Sequence, residues 1–308
     1  MRVRLETPRD FSFRHTVNSH GWCDLAPFTA AADATSVATV VALPDGGARR
    51  MVLRDDDGVV LESPGAADAA TRRALIEAAR RVLALDVDVS EFHDVVRGDP
   101  RYRWIADTRS GRLLRAPTAW EDVVKLVLTT NCSWAFTKKM TTVLVERYGE
   151  PSPDGARSFP TARRLAKVRE EEFRGDVRAG YRSPYLVALS LAVSKGVADP
   201  EAWDADRREI AVLRKEILEL PGVGPYVAEN LLKFLGKPDG LALDSAIRAK
   251  YSAMYHGGRR IKDGTIARRV APLGRWAGLA LWFDLWRDWM GDPESAPGEP
   301  QIPTSRGV

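Results

Sequence analysis

The residues whose types and spacing could support catalysis are a glycine-containing turn and a lone carboxylate that follows it in the chain. The turn consists of Leu220, Pro221, Gly222, Val223 and Gly224, and Asp244 follows 18 positions after Tyr226. A Gly-x-Gly turn between two helices lets a phosphate oxygen approach backbone N–H groups, and the dipole of the second helix adds partial positive charge. A carboxylate near such a turn can stabilise a developing positive charge or orient a water molecule. The pattern therefore predicts phosphate binding combined with acid-assisted chemistry.

Two helices must hold this turn in place. The sequence predicts one helix over 204–219 before the turn and another from Pro225 to Leu235 after it, closed by Gly236. Asp244 precedes a further helix in the position of an N-cap. Each feature also has an ordinary explanation: the turn could be a corner of an unrelated helical protein, and Asp244 could be a cap alone. Capping and catalysis by Asp244 can coexist.

Composition narrows the classes of protein that the chain can represent. A net charge of +4 and a pI near 9.1 allow nucleic-acid binding without requiring it. With two cysteines and four scattered histidines, we expect no disulfide framework, no four-thiolate iron–sulfur cluster and no structural zinc. No apolar run reaches transmembrane length and residues 1–4 begin no signal peptide, so we expect a cytoplasmic protein without a membrane partner.

Hydrophobic periodicity divides the chain into a β-rich and a helical part. Strand-like patterns that predict an antiparallel sheet occur at 11–17, 37–43, 50–53 and 59–61. Helices are expected at 68–84, 122–130 (after the capping box Thr118–Glu121), 135–147, 183–196 and 274–290. The predicted fold class is α+β and mainly α, with a small N-terminal antiparallel β domain over 1–66, an all-α core over 67–290 and a flexible tail over 291–308.

Together, the turn and Asp244 resemble the helix-hairpin-helix superfamily of DNA base-excision glycosylases. Further similarity to its branch of 3-methyladenine glycosylase II and 8-oxoguanine glycosylases extends over 105–290, including 111–115, 180–185 and 274–280. The resemblance implies a helix-hairpin-helix glycosylase core whose hairpin binds double-stranded DNA and whose catalytic residue is Asp244. It also implies a monovalent cation, K⁺ or Na⁺, on the backbone carbonyls of Leu220 and Val223. No other cofactor is expected, and the protein is expected to be a monomer.

Tyr226 stands where bifunctional members of this superfamily have the lysine that attacks the sugar to form a Schiff base. A phenol cannot form an imine, and no lysine in the hairpin region lies closer than Lys233. The resemblance therefore implies a monofunctional enzyme that uses water and leaves an abasic site. Tyr226 either lines the base pocket or packs under the hairpin.

Three further side chains are candidates for contacts near a flipped base. Asn131 matches the residue that fills the gap left by the flipped nucleotide; its alternative is an ordinary polar residue at a helix end. Trp134 either stacks on bases or joins the core, the more common fate of such a residue. Trp282 follows Leu281, which matches the position of the base-reading glutamine. Trp282 either lines the base pocket or belongs to the hydrophobic core.

An aromatic and apolar pocket suits an alkylated purine, whose positive charge favours π faces. The sequence therefore predicts excision of a base such as 3-methyladenine. The alternatives are excision of oxidised guanine or a deaminated base, and DNA-structure binding without catalysis. Arg248, Lys250 and Lys138 are expected to contact phosphates, although each could equally be a solvated surface charge.

Overall fold

β-Branched residues form the N-terminal sheet in the computed structural model, which describes residues 1–288 and Met290. The strands are β1 (Arg2–Arg4), β2 (Thr29–Ala30), β3 (Ser36–Ala42), β4 (Ala48–Asp55) and β5 (Val59–Glu62). They pair antiparallel in the order β1-β5-β4-β3-β2, with Val37 opposite Leu53 in the β3–β4 register. The strands predicted at 37–43, 50–53 and 59–61 are therefore confirmed.

The strand predicted over residues 11–17 is wrong, because a short helix, α1 (Phe13–Val17), occupies this segment. Ser12 caps it: the His15 amide donates to the Ser12 hydroxyl, and the Thr16 amide donates to the Ser12 carbonyl at 3.0 Å. A capped turn therefore prevails over the alternation of apolar side chains that suggested a strand. Phe13, Thr16 and Val17 are buried on one side of it.

Helices make up most of the remaining chain. They are α2 (Ala69–Val82), α3 (Ser90–Arg97), α4 (Arg103–Asp107), α5 (Ala119–Thr129), α6 (Trp134–Tyr148), α7 (Ala162–Leu165), α8 (Glu170–Gly175), α9 (Ser183–Ser194), α10 (Ile210–Leu218), α11 (Pro225–Phe234), α12 (Ser245–His256), α13 (Asp263–Val270) and α14 (Ala277–Leu285). The helices predicted at 68–84, 122–130, 135–147 and 183–196 are confirmed, with starts and ends that differ by at most three residues.

Two predicted helices are shorter than expected. The helix before the hairpin begins at Ile210 rather than at residue 204, because the Asp206 carboxylate accepts the Arg208 amide at 2.8 Å and favours a turn there. The late helix is interrupted at Gly274, where φ is +56°, and continues as α14 from Ala277.

Helix α5 is the centre of the helical part, and its residues from Ala119 to Leu128 are all buried. Thr118 caps it as predicted, although Glu121 turns inward to Lys125 instead of completing the capping box. Asp122 accepts a hydrogen bond from Trp22 Nε1 at 2.7 Å. This bond joins the N-terminal part to the central helix.

One hydrophobic cluster runs from the sheet into the helical bundle. The predicted class, a small N-terminal antiparallel sheet followed by a helical core, is confirmed. The boundary at residue 66 stays a prediction, and the tail 291–308 lies outside the described residues. Among the described helices, none is both long and apolar enough to cross a membrane.

Candidate active site

The hairpin joins α10 to α11 through a turn whose two glycines have different reasons to be glycine. Gly222 has φ = +79°, and a Cβ there would lie 2.7 Å from Cβ of Tyr185. Gly224 has φ = −105°, so its backbone conformation suits any residue, and a Cβ there would meet no atom within 4 Å. Gly222 is therefore required by the fold, whereas Gly224 leaves open space in front of the turn.

The N-terminus of α11 faces this open space. Gly224 is the N-cap, Pro225 occupies the first turn, and no side chain caps the helix. Orphan amides at a helix N-terminus attract an anion. The Leu220 carbonyl accepts one hydrogen bond, from the Val223 amide at 3.1 Å. Because a carbonyl has two lone pairs, Leu220 keeps one for a cation, and carbonyl oxygens are suitable ligands for K⁺.

Asp244 is the N-cap of α12, where the Ile247 amide donates to its Oδ1 at 2.7 Å. The loop before it is held by α14: a Cβ at Gly278 would lie 1.9 Å from the Gly240 carbonyl oxygen, so only glycine permits this packing. The remaining surface of Asp244 contributes to a cavity of about 160 Å³. The carboxylate thus caps a helix and also faces a binding space.

Burial raises the pKa of Asp244 above its ordinary value, and the amides of Ile247 and Ala246 oppose this rise. Hydrogen bonds from helix-terminal amides favour the ionised form of a capping carboxylate. The structure shows that these amides only partly offset the cost of removing the charge from water. The ionisation of Asp244 therefore depends on its other neighbours as well.

Aromatic side chains form most of the cavity wall and come from both parts of the chain. They are Trp22, Trp134, Tyr226, Phe234, Trp282 and Trp286, with His20 beside them. His20 stacks on Phe234 with ring centroids 4.7 Å apart, and its Nε2 donates to the Leu114 carbonyl at 2.6 Å. Burial lowers the pKa of His20 to about 3, so this ring is neutral at physiological pH.

Three of the predicted pocket or wedge residues meet at this cavity: Tyr226, Trp134 and Trp282. Trp134 packs on Gly21, where a Cβ would lie 2.3 Å from the indole ring. Trp282 Nε1 donates to the Ser19 carbonyl at 2.9 Å. Leu281, which the resemblance aligned with a base-reading residue, is buried and is not among the cavity-lining residues. The late helix therefore presents Trp282 and Trp286 to the cavity.

Asn131 lies outside the cavity, exposed at the end of α5. Its φ is +47°, and its Nδ2 donates to the Tyr181 hydroxyl at 3.1 Å. Tyr181 is 49% exposed and Tyr185, which contacts the hairpin glycine, is 43% exposed. The segment 180–185 thus places two exposed aromatic rings on the side of the hairpin, which the sequence did not assign to the site.

The three predicted phosphate contacts are engaged in ion pairs. Arg248 Nε lies 2.7 Å from Asp263, Lys250 Nζ lies 2.8 Å from Asp288, and Lys138 Nζ lies 2.6 Å from Asp24. Their side chains remain between 18% and 43% exposed. A phosphate would have to compete with these carboxylates, and the prediction stays untested.

Sequence reasoning missed several residues of the cavity. His20 and Trp22 belong to the N-terminal part and reach the cavity through contacts with residues about a hundred positions away. Lys233 lines the cavity from the last turn of α11, yet it has the spacing of an ordinary helix surface residue. Within residues 1–288, no cluster of three or more His, Cys, Asp or Glu side chains could hold a metal ion.

Known proteins similar to this chain are DNA glycosylases. No family model matches it. It is 29% identical over 213 residues to the "Probable bifunctional transcriptional activator/DNA repair enzyme AlkA" of Mycobacterium tuberculosis, covering 67% of this chain and 42% of that protein. It is 27% identical over 159 residues to the N-glycosylase/DNA lyase OGG1 of Arabidopsis thaliana, covering 49% of this chain and 43% of that protein. The alignments thus span less than half of either relative.

The fold is shared along almost the whole chain with a solved structure, the 3-methyladenine DNA-glycosylase from Archaeoglobus fulgidus. The TM-score is 0.70 at 18% identity, covering 94% of this chain and 98% of that one. At this identity the likeness establishes the fold alone. The resemblance drawn from the hairpin and Asp244 is confirmed in that relatives and structural neighbours are DNA glycosylases.

Proposed function

We propose that this chain is a monofunctional DNA glycosylase of base excision repair that removes an alkylated purine, such as 3-methyladenine, from double-stranded DNA. The observation that supports this function best is the position of Asp244. Its carboxylate faces a cavity with aromatic walls, one loop after a hairpin whose helix N-terminus is open to an anion.

The hairpin would bind the phosphate backbone while the damaged base turns out of the duplex into the cavity. Contacts to phosphates position a duplex without reading its sequence, so base selection falls to the cavity. An apolar cavity of about 150 Å³ holds a benzene-sized ring. At about 160 Å³ this cavity has the scale of a single flat base rather than of a nucleotide.

The Asp244 carboxylate supplies negative charge where the sugar becomes cationic as the base departs. It also provides an acceptor for the proton of an attacking water molecule. The Ile247 amide holds Oδ1 of this carboxylate in place at 2.7 Å. Because burial raises the pKa of Asp244, excision is expected to decline on acidification at a pH above the ordinary titration range of aspartate.

The cavity walls favour an alkylated purine. Trp282 and Trp286 lie with ring centroids 5.6 Å apart, and the facing surfaces are largely aromatic. Rings of this kind attract a cationic base through their π faces. The neutral His20 adds a flat surface without an opposing charge.

Tyr226 supports hydrolysis without strand cleavage. Its hydroxyl lines the cavity where a Schiff-base lysine would be needed, and burial raises its pKa to about 12. A protonated phenol is a poor nucleophile and forms no imine. The proposed product is an abasic site in an uncut strand. We further propose that the Leu220 and Val223 carbonyls hold K⁺ or Na⁺ beside the bound phosphate.

A panel of duplexes tests the reaction, each carrying one lesion: 3-methyladenine, hypoxanthine or 8-oxoguanine. We expect 3-methyladenine to be released fastest. The Asp244→Asn variant should lose excision by about 10²–10³-fold or more, because the charge opposite the sugar cation disappears. Its affinity for duplex DNA with an abasic-site analogue should persist.

Other outcomes of the panel would change the proposal. If 8-oxoguanine were released faster than 3-methyladenine, oxidised guanine would become the proposed substrate, and the proposed hydrolysis would be unchanged. Binding to the abasic-site analogue without release of any base would leave a DNA-structure-binding protein. Undiminished excision by Asp244→Asn would remove Asp244 from catalysis.

The hairpin offers a matched pair of variants for DNA binding. Gly224→Ala places a methyl group in the open space before the helix N-terminus, so DNA affinity should fall while the melting temperature is unchanged. Gly222→Ala should destabilise the protein by about 1–3 kcal/mol, because its left-handed backbone and Tyr185 exclude a side chain. Binding titrations and thermal melts separate the two effects, and unchanged affinity in Gly224→Ala would place the phosphate elsewhere.

A further inference from the structure

Lys233 is a buried cation beside the proposed catalytic carboxylate. It lies in the last turn of α11 and is 4% exposed. Its Nζ finds no hydrogen-bond partner among the described residues. Among the residues that line the Asp244 cavity, Lys233 has the only ammonium and Asp244 the only carboxylate. A buried lysine without a direct partner is costly, so its position requires an explanation.

Two carboxylates act on Lys233, one from its own helix and one from α12. Glu229 lies one turn earlier on α11, and its Oε1 is bound to Arg214 Nε at 2.7 Å. Asp244 acts from the N-terminus of α12 and makes no direct ion pair among the described residues. Arg248 also acts on Asp244 but is engaged by Asp263. Lys233 is thus the buried cation that complements Asp244.

The other titratable groups around Lys233 do not replace it. His20, Cys132 and Tyr226 also line the cavity, and none of them supplies a positive charge at neutral pH. Behind Lys233, a smaller cavity is lined by Arg112 and Arg115, which pair with Asp10 and Asp86. Their charges are therefore largely committed to other carboxylates.

We propose that Lys233 is a positioning residue whose ammonium keeps the Asp244 carboxylate ionised inside the cavity, so that excision continues at lower pH than burial alone would permit. This inference rests on the proposed glycosylase function. It assigns Lys233 no contact with the substrate.

The energetics of the two groups agree with this role. Burial raises the pKa of Asp244 and lowers the pKa of Lys233 to about 8, and the Coulomb attraction between them opposes both shifts. Below pH 8 Lys233 carries its proton, so its field is present throughout the acidic range in which Asp244 titrates. Water is scarce at the buried Nζ, and the interaction is therefore weakly screened.

The experiment measures single-turnover excision of 3-methyladenine against pH for the wild type and for Lys233→Met. The acidic limb is the part of the profile in which the rate falls as Asp244 is protonated. We expect this limb to lie about one pH unit higher in Lys233→Met than in the wild type. The plateau rate of each variant above the limb serves as the reference for locating its own limb. Lys233→Arg, which keeps the charge, should restore the wild-type limb.

Lys237→Met is the matched control. Lys237 lies in the loop after α11, and its Nζ donates to the Trp203 carbonyl at 2.9 Å, outside the Asp244 cavity. Losing this second partly buried lysine should not move the limb. If Lys233→Met does not fold, Lys233→Gln serves in the same comparison.

Three results would overturn the inference. One is an unmoved limb in Lys233→Met, and another is a uniform loss of rate at every pH, which indicates a structural role. The third is a covalent DNA adduct that borohydride traps in the wild type but not in Lys233→Met, since Lys233 would then be a nucleophile.

A direct titration separates failure of this inference from failure of the proposed function. The ¹³C signal of the Asp244 carboxyl, assigned through Asp244→Asn, reports its ionisation without any substrate. A higher Asp244 pKa in Lys233→Met would support the inference even if the wild type released no base. An unchanged pKa would overturn it even if excision were rapid.

Discussion

Two acid–lysine sites lie in the interior of this protein, and they are built in opposite ways. In α5, Lys125 Nζ contacts Glu121 Oε1 at 2.6 Å, and the two side chains are 0% and 3% exposed. Phe28, Phe159 and Trp22 surround the ammonium, with ring centroids 4.8, 5.8 and 6.0 Å away. At the cavity, Lys233 and Asp244 influence each other without direct contact.

The difference shows how the same two residue types serve two purposes. A contact ion pair enclosed by rings sets its two charges directly against each other. A separated pair at a cavity leaves the carboxylate free to face a developing positive charge. Trp22 lies between the two sites, because its ring is near Lys125 and also lines the Asp244 cavity.

The largest effect is expected when the contact pair between Glu121 and Lys125 is broken. At a pH above 7, where Glu121 is ionised, Lys125→Met leaves its buried carboxylate without the ammonium that contacts it, which should lower the free energy of unfolding by about 3–5 kcal/mol. Lys233→Met should cost far less, because among the described residues Lys233 makes no contact ion pair like that of Lys125 with Glu121. Urea unfolding of both variants checks this contrast, and equal losses would contradict it.

The next effect concerns the pH dependence of stability. Burial raises the pKa of Glu121 from 4.5 to about 7 in the folded protein. A carboxyl with a raised folded pKa stabilises the fold below its unfolded pKa, and this contribution is lost as the pH rises through 7. At about 1.4 kcal/mol per pKa unit, the loss is on the order of 3 kcal/mol.

The double variant Glu121→Gln/Lys125→Met removes this titration. Its free energy of unfolding should fall less between pH 5 and pH 7 than that of the wild type, while other groups cancel in the difference. Urea unfolding at both pH values measures the two slopes. Equal slopes would show that Glu121 does not titrate in this window.

The smallest expected effect tests whether the aromatic rings around Lys125 stabilise its ammonium group. Phe28→Leu and Phe159→Leu remove the same atoms from two buried sites, but the Phe28 ring lies 1.0 Å closer to the ammonium (5.8 − 4.8). Phe28→Leu should therefore be the more destabilising by about 0.5–1 kcal/mol. Thermal melts of the two variants compare them, and the reverse order would exclude a cation–π contribution.

Features set by neighbouring residues were predictable from the sequence. The hairpin follows from glycines and proline, the cap of α5 from Thr118, and the N-cap role of Asp244 from its place before α12. In each case the hydrogen bonds that decide the structure join residues three or four positions apart. Such signals are visible without knowledge of the fold.

Features set by distant contacts were not predictable. Nothing around His20 indicates that its ring stacks on Phe234 or that its nitrogen reaches Leu114, 94 positions away. Lys233 resembles a solvated helix residue in the sequence, yet in the fold it is buried and lines the cavity. The prediction of a strand over 11–17 was wrong for a related reason. The apolar residues of this segment lie on the buried side of a short helix.

The way the cavity is built limits which fragments of the chain could keep it intact. Ser19 accepts the hydrogen bond of Trp282, and Gly21 supports the indole of Trp134, so two of its walls rest on residues that precede the main strands of the sheet. A fragment beginning at residue 67 would retain the hairpin and Asp244 but lack these supports. Engineering or transplanting the proposed active site therefore requires the amino-terminal residues as part of the insert, not as an optional appendage.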